Sequence, residues 1–426
     1  MTRLQDIAAQ LSGYDPSALS VAKAQEFIAR LVPRVTAVES LPLRSALGRV
    51  LARDIVSPIN VPASDNSAMD GYALRSSERS ASGPSEFAVA GTSFAGMAFD
   101  GAAAPGQCVR IMTGAVMPEG FDTVVPQEFV QSTADGTVTV PAGVVRSGDN
   151  RRLAGEDLRL GEPALQAGRV LRPADLGLMA SLGRAEVPVF RRLRVAFFST
   201  GDELRSVGES LDEGCVYDSN RYTLWGMLQR LGVELIDMGV VPDEPEALEA
   251  TFRAAAENAD AVITSGGVSV GEADHTKQVM ARIGDVLFWK IAMRPGRPMA
   301  IGRIDSNGRQ AILFGLPGNP VAVMVTFYAF VRDALLAMGG ATPQPLPLLR
   351  AVSTEALRKK PGRTEFQRGI VTPTADGRWQ VQITGAQGSG ILRSMSQANG
   401  MVVLHHGQGN VAAGDLVDVV PFNGLI

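Results

Sequence analysis

The densest chemistry in the chain lies between Ala261 and Lys277, AVITSGGVSVGEADHTK. The apolar run Ala261-Val262-Ile263 predicts a strand that feeds Thr264-Ser265-Gly266-Gly267, where small residues admit a ligand close to the backbone and paired glycines admit positive φ. Such a strand end is an anion cradle. Glu272 and Asp274 follow near the start of a helix predicted over Asp274 to Arg282, with Lys277 one turn on, so metal-competent carboxylates stand beside a loop of N–H groups. Loop and acids together suggest Mg²⁺-phosphate chemistry; a plain strand-to-helix turn explains the glycines as well.

Further stretches carry charge or small polar residues in patterns that suit anion binding. Lys290, Arg294 and Arg297 fall in KIAMRPGRP, where two prolines and a glycine stiffen the segment; Arg offers a planar donor fork, and the alternative is a surface turn with solvated bases. Pro317-Gly318-Asn319, in GLPGNP, precede a long predicted helix from Val321 to Met338 and form a second backbone cradle. Asp65 and Asp70 sit in VPASDNSAMDGYAL, which reads as a binding loop or as an Asx-turn stack capping backbone N–H groups. RIMTGA ends a strand on Thr113 and a glycine, either an anion contact or a strand-terminating turn. RSGDNRRLAGED, with Arg146, Arg151, Arg152, Asp149, Glu156 and Asp157, has the composition of a solvated charged loop.

The elements that must position these residues follow from periodicity. From Arg191 onward, apolar strands alternate with amphipathic helices: strand Leu193 to Phe198, helix Ser219 to Leu231, strand Val233 to Met238, helix Glu244 to Ala256, strand Ala261 to Ile263 and the helix after Asp274. That alternation predicts a doubly wound parallel sheet whose ligands gather beyond the carboxyl ends of its strands. Asp202 and Glu203 follow the first strand, Asp243 the second and Asp274 the third. Two more strands are predicted at Val286 to Trp289 and Met299 to Ile304.

Upstream, Ser20 caps a helix over Ser20 to Val32, which ends at Pro33. Short β runs from Phe87 to Val145 predict an inserted all-β module, and a helical pattern over Ala174 to Leu182 is expected to pack back on the N-terminal helix. Downstream, a proline-rich TPQPLPLL precedes β runs that suit a small C-terminal β-barrel. The expected division is residues 1–58 plus 146–190 as an N-terminal α/β linker domain, 59–145 as the inserted β module, 191–340 as the α/β ligand-binding domain and 341–426 as the barrel. Length alone suggests about two to four domains. His405 and His406 are adjacent, so on a strand they point to opposite faces and read as turn-edge residues rather than a metal pair.

Composition narrows the function classes. A net charge of −4 with 20% charged residues argues against a nucleic-acid or anionic-membrane partner. Two cysteines, Cys108 and Cys215, and three histidines exclude a disulfide framework and disfavour zinc. The N-terminus lacks the apolar core of an export signal, and no stretch approaches 18 uncharged apolar residues, so a cytoplasmic protein is expected.

DNSAMDGYA, RIMTGA, STGDEL, YDSNRY, TSGGVSVGEAD, MRPGRP and LPGNPV, in this order over about residues 20 to 426, resemble the molybdopterin molybdenumtransferases, the MoeA family that includes the E domain of gephyrin. The resemblance implies binding of adenylylated molybdopterin, Mg²⁺-dependent hydrolysis of its pyrophosphate bond, and insertion of molybdenum from molybdate, with release of AMP and molybdenum cofactor. It implies Asp202, Glu203 and Asp274 as acids for Mg²⁺ and phosphate, and Asp243 as a further acid. Ser265, Gly266, Gly267, Pro317, Gly318 and Asn319 would cradle phosphate, with Asp218, Asn220 and Lys277 as further substrate positions. Lys290, Arg294 and Arg297 would meet molybdate or the pterin phosphate, and Arg363 and Ser394 match positions near the oxyanion. Asp70 and Thr113 match positions at a dimer interface and Arg152 and Asp157 others near it, which implies a homodimer. Molybdopterin adenylyltransferase and molybdoenzyme apo-proteins are the further partners implied. In the family pattern lysine is commoner at Arg294 and Arg297, and serine at Ala322. Two alternatives use the same α/β domain: a molybdopterin adenylyltransferase, which would not need the DNSAMDGYA module or the barrel, and a non-catalytic scaffold, against which retention of the acids argues.

Overall fold

The computed structural model describes residues 3–268 and 275–422. The chain forms two compact units, one of Met1–Glu39, Gly48–Ala52 and Pro188–Ile426, the other of Ser40–Leu47 and Arg53–Val187.

The larger unit is organised on a six-stranded sheet. Its strands are β1 (Arg194–Thr200), β2 (Glu234–Val241), β3 (Ala261–Ser265), β4 (Gly284–Lys290), β5 (Pro298–Ser306) and β6 (Arg309–Leu316), in spatial order β2-β1-β3-β6-β5-β4. The β1–β2, β1–β3 and β3–β6 pairs are parallel, and β5 runs antiparallel to both β6 and β4. The predicted parallel sheet is therefore mixed at one edge. The short turn between β5 and β6, around Asn307 at φ 48° and Gly308 at φ 72°, folds them as a hairpin where a crossover helix would be needed for parallel pairing. Helices α1 (Ser219–Arg230), α2 (Pro245–Asn258) and α3 (His275–Ile283) make the crossovers. Buried Phe197, Ile263 and Phe314 point into one core cluster, while Phe198, Val262 and Leu313 point into another, as strands covered on both faces require.

At its amino end β1 is tied by Asp260, which accepts from both terminal nitrogens of Arg191 at 2.8 and 2.7 Å and from the Arg194 backbone at 2.8 Å. Burial works to raise the Asp260 carboxyl, but the Arg191 and Arg194 hydrogen bonds and charges outweigh it and hold the group below the usual carboxylate range.

The N-terminal helix Val21–Leu31 belongs to this unit, and the segment Ala174–Leu182 to the smaller one. Phe27, fully buried, meets Trp289 edge-on at 5.1 Å, and Trp289 Nε1 donates to Tyr14 Oη at 2.9 Å. Burying an aromatic ring of this kind contributes about 1.5–3 kcal/mol. Ser20 caps the helix, its hydroxyl accepting from Lys23 N–H.

Helix α4 (Pro320–Met338) follows β6. By length and composition it is apolar enough to cross a membrane, yet 67% of the relevant window is buried inside the fold, as expected of a core helix. Beyond it, β7 (Leu349–Ser353), β8 (Thr364–Pro373), β9 (Trp379–Ile383), β10 (Gly400–Leu404) and β11 (Leu416–Pro421) close into a five-stranded barrel, in the order β8-β9-β7-β11-β10 and back to β8. A short strand, Met293–Arg294, adds to this barrel by pairing in parallel with Thr364–Glu365. His405 and His406 lie in the turn after β10, and His405 Nε2 is 2.6 Å from Asp418 Oδ2.

The smaller unit holds a six-stranded sheet from Gly71–Leu74 through Thr137–Val140. It also contains the helix Pro173–Ser181.

Candidate active site

A cleft of about 1400 Å³ opens in the larger unit at the carboxyl ends of β1 and β3. Two glycine-bearing loops form its floor. Gly266 and Gly267 hold φ +95° and +65°, and a Cβ on them would lie 2.4 Å from the Thr200 carbonyl oxygen and 2.4 Å from Thr276 Cβ, so no larger residue fits without displacing backbone or a buried side chain. Gly266 N–H donates to the Leu316 carbonyl at 3.1 Å, which sets this loop beside Pro317-Gly318-Asn319 at the start of α4. Asn220 Nδ2 clasps the Gly318 carbonyl at 2.7 Å from the opening turn of α1. Backbone amides at the N-terminus of α4 thus share the cleft with a strand-end loop, an arrangement that favours anions.

Glu203, Asp218 and Asp243 line the cleft. Asp202 Oδ1 accepts from Asp243 N–H at 3.2 Å, and Asp243 Oδ1 accepts from Thr276 Oγ1 at 3.1 Å, so the acids at two adjacent strand ends are linked. Asp218 caps α1, one oxygen accepting from Arg221 N–H at 3.1 Å. Its other oxygen, with Asn220 Oδ1 and Thr200 Oγ1, is buried without a hydrogen-bond partner among the described residues. Asp218, Thr200 and Asn220 are 2%, 5% and 6% exposed and all line the cleft. Buried polar atoms are rarely left unpaired, so three at one cleft mark it as built for a polar ligand.

The basic set is Arg294, Arg297 and Arg363. Gly296, at φ +94° and with no room for a Cβ against Thr326 Cγ2 at 2.5 Å, turns the Arg294–Arg297 loop back against α4. Arg363 is bonded through Nε and Nη2 to Glu365 Oε1, at 2.8 and 2.7 Å. Gln387, Gly388, Ser389 and Gly390 complete the lining, and the Ser389 carbonyl accepts from Val321 N–H at 3.0 Å. Behind them Arg368, fully buried, donates to the Gly388 carbonyl at 2.9 Å, the Gln387 carbonyl at 3.3 Å and Ser394 Oγ at 2.9 Å. Burial, and then Arg294 nearby, pull the Arg368 guanidinium down to about 10.

Residues 19–183 match the MoeA N-terminal region (domain I and II), 196–337 the probable molybdopterin-binding domain, and 350–422 the MoeA C-terminal region (domain IV). A molybdopterin molybdenumtransferase of Haemophilus influenzae is 44% identical over 96% of this chain and 100% of its own length. The chain belongs to the molybdopterin molybdenumtransferase family. Another protein of that name, from Nostoc sp., is 36% identical over 93% of this chain and 92% of its own. A crystal structure of the molybdopterin biosynthesis moeA protein from Pyrococcus horikoshii OT3 superposes with a TM-score of 0.81 at 28% identity, covering 95% of this chain and all of that one.

Of the positions that the molybdenumtransferase resemblance singles out, the cleft gathers Glu203, Asp218, Asn220, Asp243, Ser265, Gly266, Gly267, Arg294, Arg297, Pro317, Gly318, Asn319 and Arg363. Asp274 lies outside the described residues. Others do not line the cleft. Lys277 Nζ sits 5.0 Å above the Phe288 ring, and Lys290 is an exposed strand end whose backbone bonds to Pro16 and Leu19. Ser394 is buried and serves Arg368. Asp70, Thr113, Arg152 and Asp157 belong to the smaller unit. There Asp70 Oδ1 accepts from both the backbone and the hydroxyl of Thr113 at 2.7 Å, which lowers its carboxyl pKa, while Arg152 pairs across a short ladder with Asn66 and Asp157 N–H donates to the Val61 carbonyl.

Sequence reasoning missed Thr200, Glu365, Arg368 and the loop Gln387–Gly390. The Gly-Ser-Gly run at 388–390 was the available signal. Nothing local marks Glu365 or Arg368, whose roles arise from barrel packing.

Proposed function

We propose that the enzyme binds adenylylated molybdopterin in this cleft, cleaves its pyrophosphate bond with Mg²⁺, and inserts molybdenum from molybdate, releasing AMP and molybdenum cofactor. The observation that carries this reading is the pairing, in one cleft, of three carboxylates with three guanidiniums over two backbone anion cradles. A metal-bridged phosphate needs the first set and a tetrahedral oxyanion the second.

Among the described residues no three acidic or thiol or imidazole groups cluster closely enough to cage a metal unaided. Glu203, Asp243 and the adjoining Asp202 nevertheless suit Mg²⁺, which takes one or two carboxylates and completes its shell with substrate phosphate oxygens and water. In this reading Glu203 and Asp202 hold the ion, with Asp274 as the third acid. Bound there, Mg²⁺ would neutralise phosphoryl oxygens and ease departure of AMP. The amides around Gly266-Gly267 and at the start of α4 hold the phosphates, Asp218 and Asn220 offer their unpartnered oxygens to ligand donors, and Arg294, Arg297 and Arg363 hold the oxyanion.

We further propose a cytoplasmic homodimer. The family resemblance supports it, and Asp70 and Thr113, matched to a dimer interface, are exposed on their own unit. Analytical ultracentrifugation of the full chain tests that. An adenylyltransferase has no use for the regions matched at 19–183 and 350–422. The deciding experiment follows AMP release from adenylylated molybdopterin with Mg²⁺, with and without molybdate. Molybdate-dependent release is expected; ATP-driven adenylylation of free molybdopterin instead would overturn the reading.

A further inference from the structure

We propose that Glu365 is a positioning residue of the basic set, fixing the Arg363 guanidinium so that its free end meets the oxyanion substrate. The inference rests on the reading of the cleft given above and extends it to a side chain that does not line the cleft. Glu365 is 3% exposed, and its Oε1 takes both donors on one edge of the Arg363 fork. Nη1 makes no hydrogen bond among the described residues and is left for a ligand.

A buried carboxylate is costly unless paired, so Arg363 cannot swing away without stranding Glu365. Its neighbours reinforce the lock. Gln367 Nε2 donates to Glu365 Oε2 at 3.4 Å, and Lys359, 4% exposed and bonded to the Lys360 and Gln408 carbonyls at 2.8 and 3.2 Å, feels both charges of the pair. Burial chiefly lowers the Lys359 ammonium, with Glu365 pulling it back up and Arg363 adding to the lowering.

Charge count explains why a counter-ion is built in at this point. Arg294 stands directly across from Glu365 in the short parallel ladder, and Arg368 is close enough to Arg294 to be depressed by it. Arg363, Arg294 and Lys359 thus neighbour one buried carboxylate. Glu365 neutralises enough of that charge to keep Arg363 in place while leaving the set cationic overall, which is what a dianionic substrate needs to find.

The test compares E365Q, E365D, R363Q and the R363Q/E365Q double variant. Initial rates of AMP release are measured against molybdate, with inorganic molybdate binding followed by calorimetry. E365Q is expected to raise KM for molybdate about tenfold with kcat within about twofold, the size of one lost charge-assisted contact. E365D should recover most of the loss. The double variant, which leaves no stranded charge if E365Q alone folds poorly, should match R363Q. An unchanged KM in E365Q, or a double variant weaker than R363Q, overturns the proposal. Crystal structures give an independent reading: the guanidinium of Arg363 should be displaced in E365Q, and an undisturbed one also overturns it. If the wild-type chain releases no AMP, the proposed reaction falls, and Glu365 is judged on molybdate calorimetry and the Arg363 orientation alone.

Discussion

The acidic and basic sets of the cleft are built in different ways. Glu203 and Asp243 stand just past two neighbouring parallel strands, and the link from Asp202 to the Asp243 amide is part of that strand-end geometry. The basic set comes from a loop between strands, Arg294 and Arg297, and from the approach to a barrel strand, Arg363, held by a two-residue ladder and a buried counter-carboxylate. Carboxylates here are placed by sheet topology, guanidiniums by long-range packing. The first set should tolerate distant change, and the second should not.

Each set therefore has its own signature on mutation. Glu203→Gln should lower kcat by roughly 10²–10³-fold with little effect on KM for molybdate if, as proposed, the charge it removes serves the pyrophosphate end; steady-state AMP release reads both constants. Arg294→Ala should do the reverse, raising KM for molybdate roughly 10–100-fold with a smaller loss in kcat. Equal effects on both constants from either variant would erase the distinction between the sets. Gly266→Ala, with its Cβ forced against the Thr200 carbonyl at positive φ, should cost about 1–3 kcal/mol in urea denaturation and weaken substrate binding as well. Smallest is a control on the sheet itself. Asp260→Asn should cost on the order of 1 kcal/mol at pH 7. Since the folded Asp260 carboxyl lies below its ordinary value, its contribution is complete above about pH 4 and fades as pH falls through the folded value. Melting curves of wild type and variant should accordingly converge in acid, with kcat at pH 7 unaffected.

Much of the acidic set was legible because local pattern and function coincide there. Apolar β-branched runs announce the strands, and the residue after each run is where an α/β sheet presents its ligands, so Glu203, Asp243 and Gly266 could be named from sequence alone. The hairpin of β5 and β6 was not foreseen, because two strands and a tight turn carry no sign of direction. The N-terminal helix shows a related limit: its apolar face is plain, but nothing local says that Trp289 receives Phe27. Ser394 illustrates the limit at the site. Its position matches one near the oxyanion, and its hydroxyl accepts from Arg368, whose guanidinium also donates to the Ala386, Gln387 and Gly388 carbonyls. Contacts between a barrel interior and a loop some twenty positions away have no periodicity to betray them.

The ladder between Met293–Arg294 and Thr364–Glu365 has a consequence for how this protein can be dismantled. It makes the barrel a splint rather than a removable cassette. A chain ending near residue 340 would retain every strand and helix of the α/β sheet, and with them the acids, but its Arg294 loop would lose its only described strand partner and Arg363 would be gone. Such a fragment would be expected to keep its grip on a phosphate and lose its grip on the oxyanion.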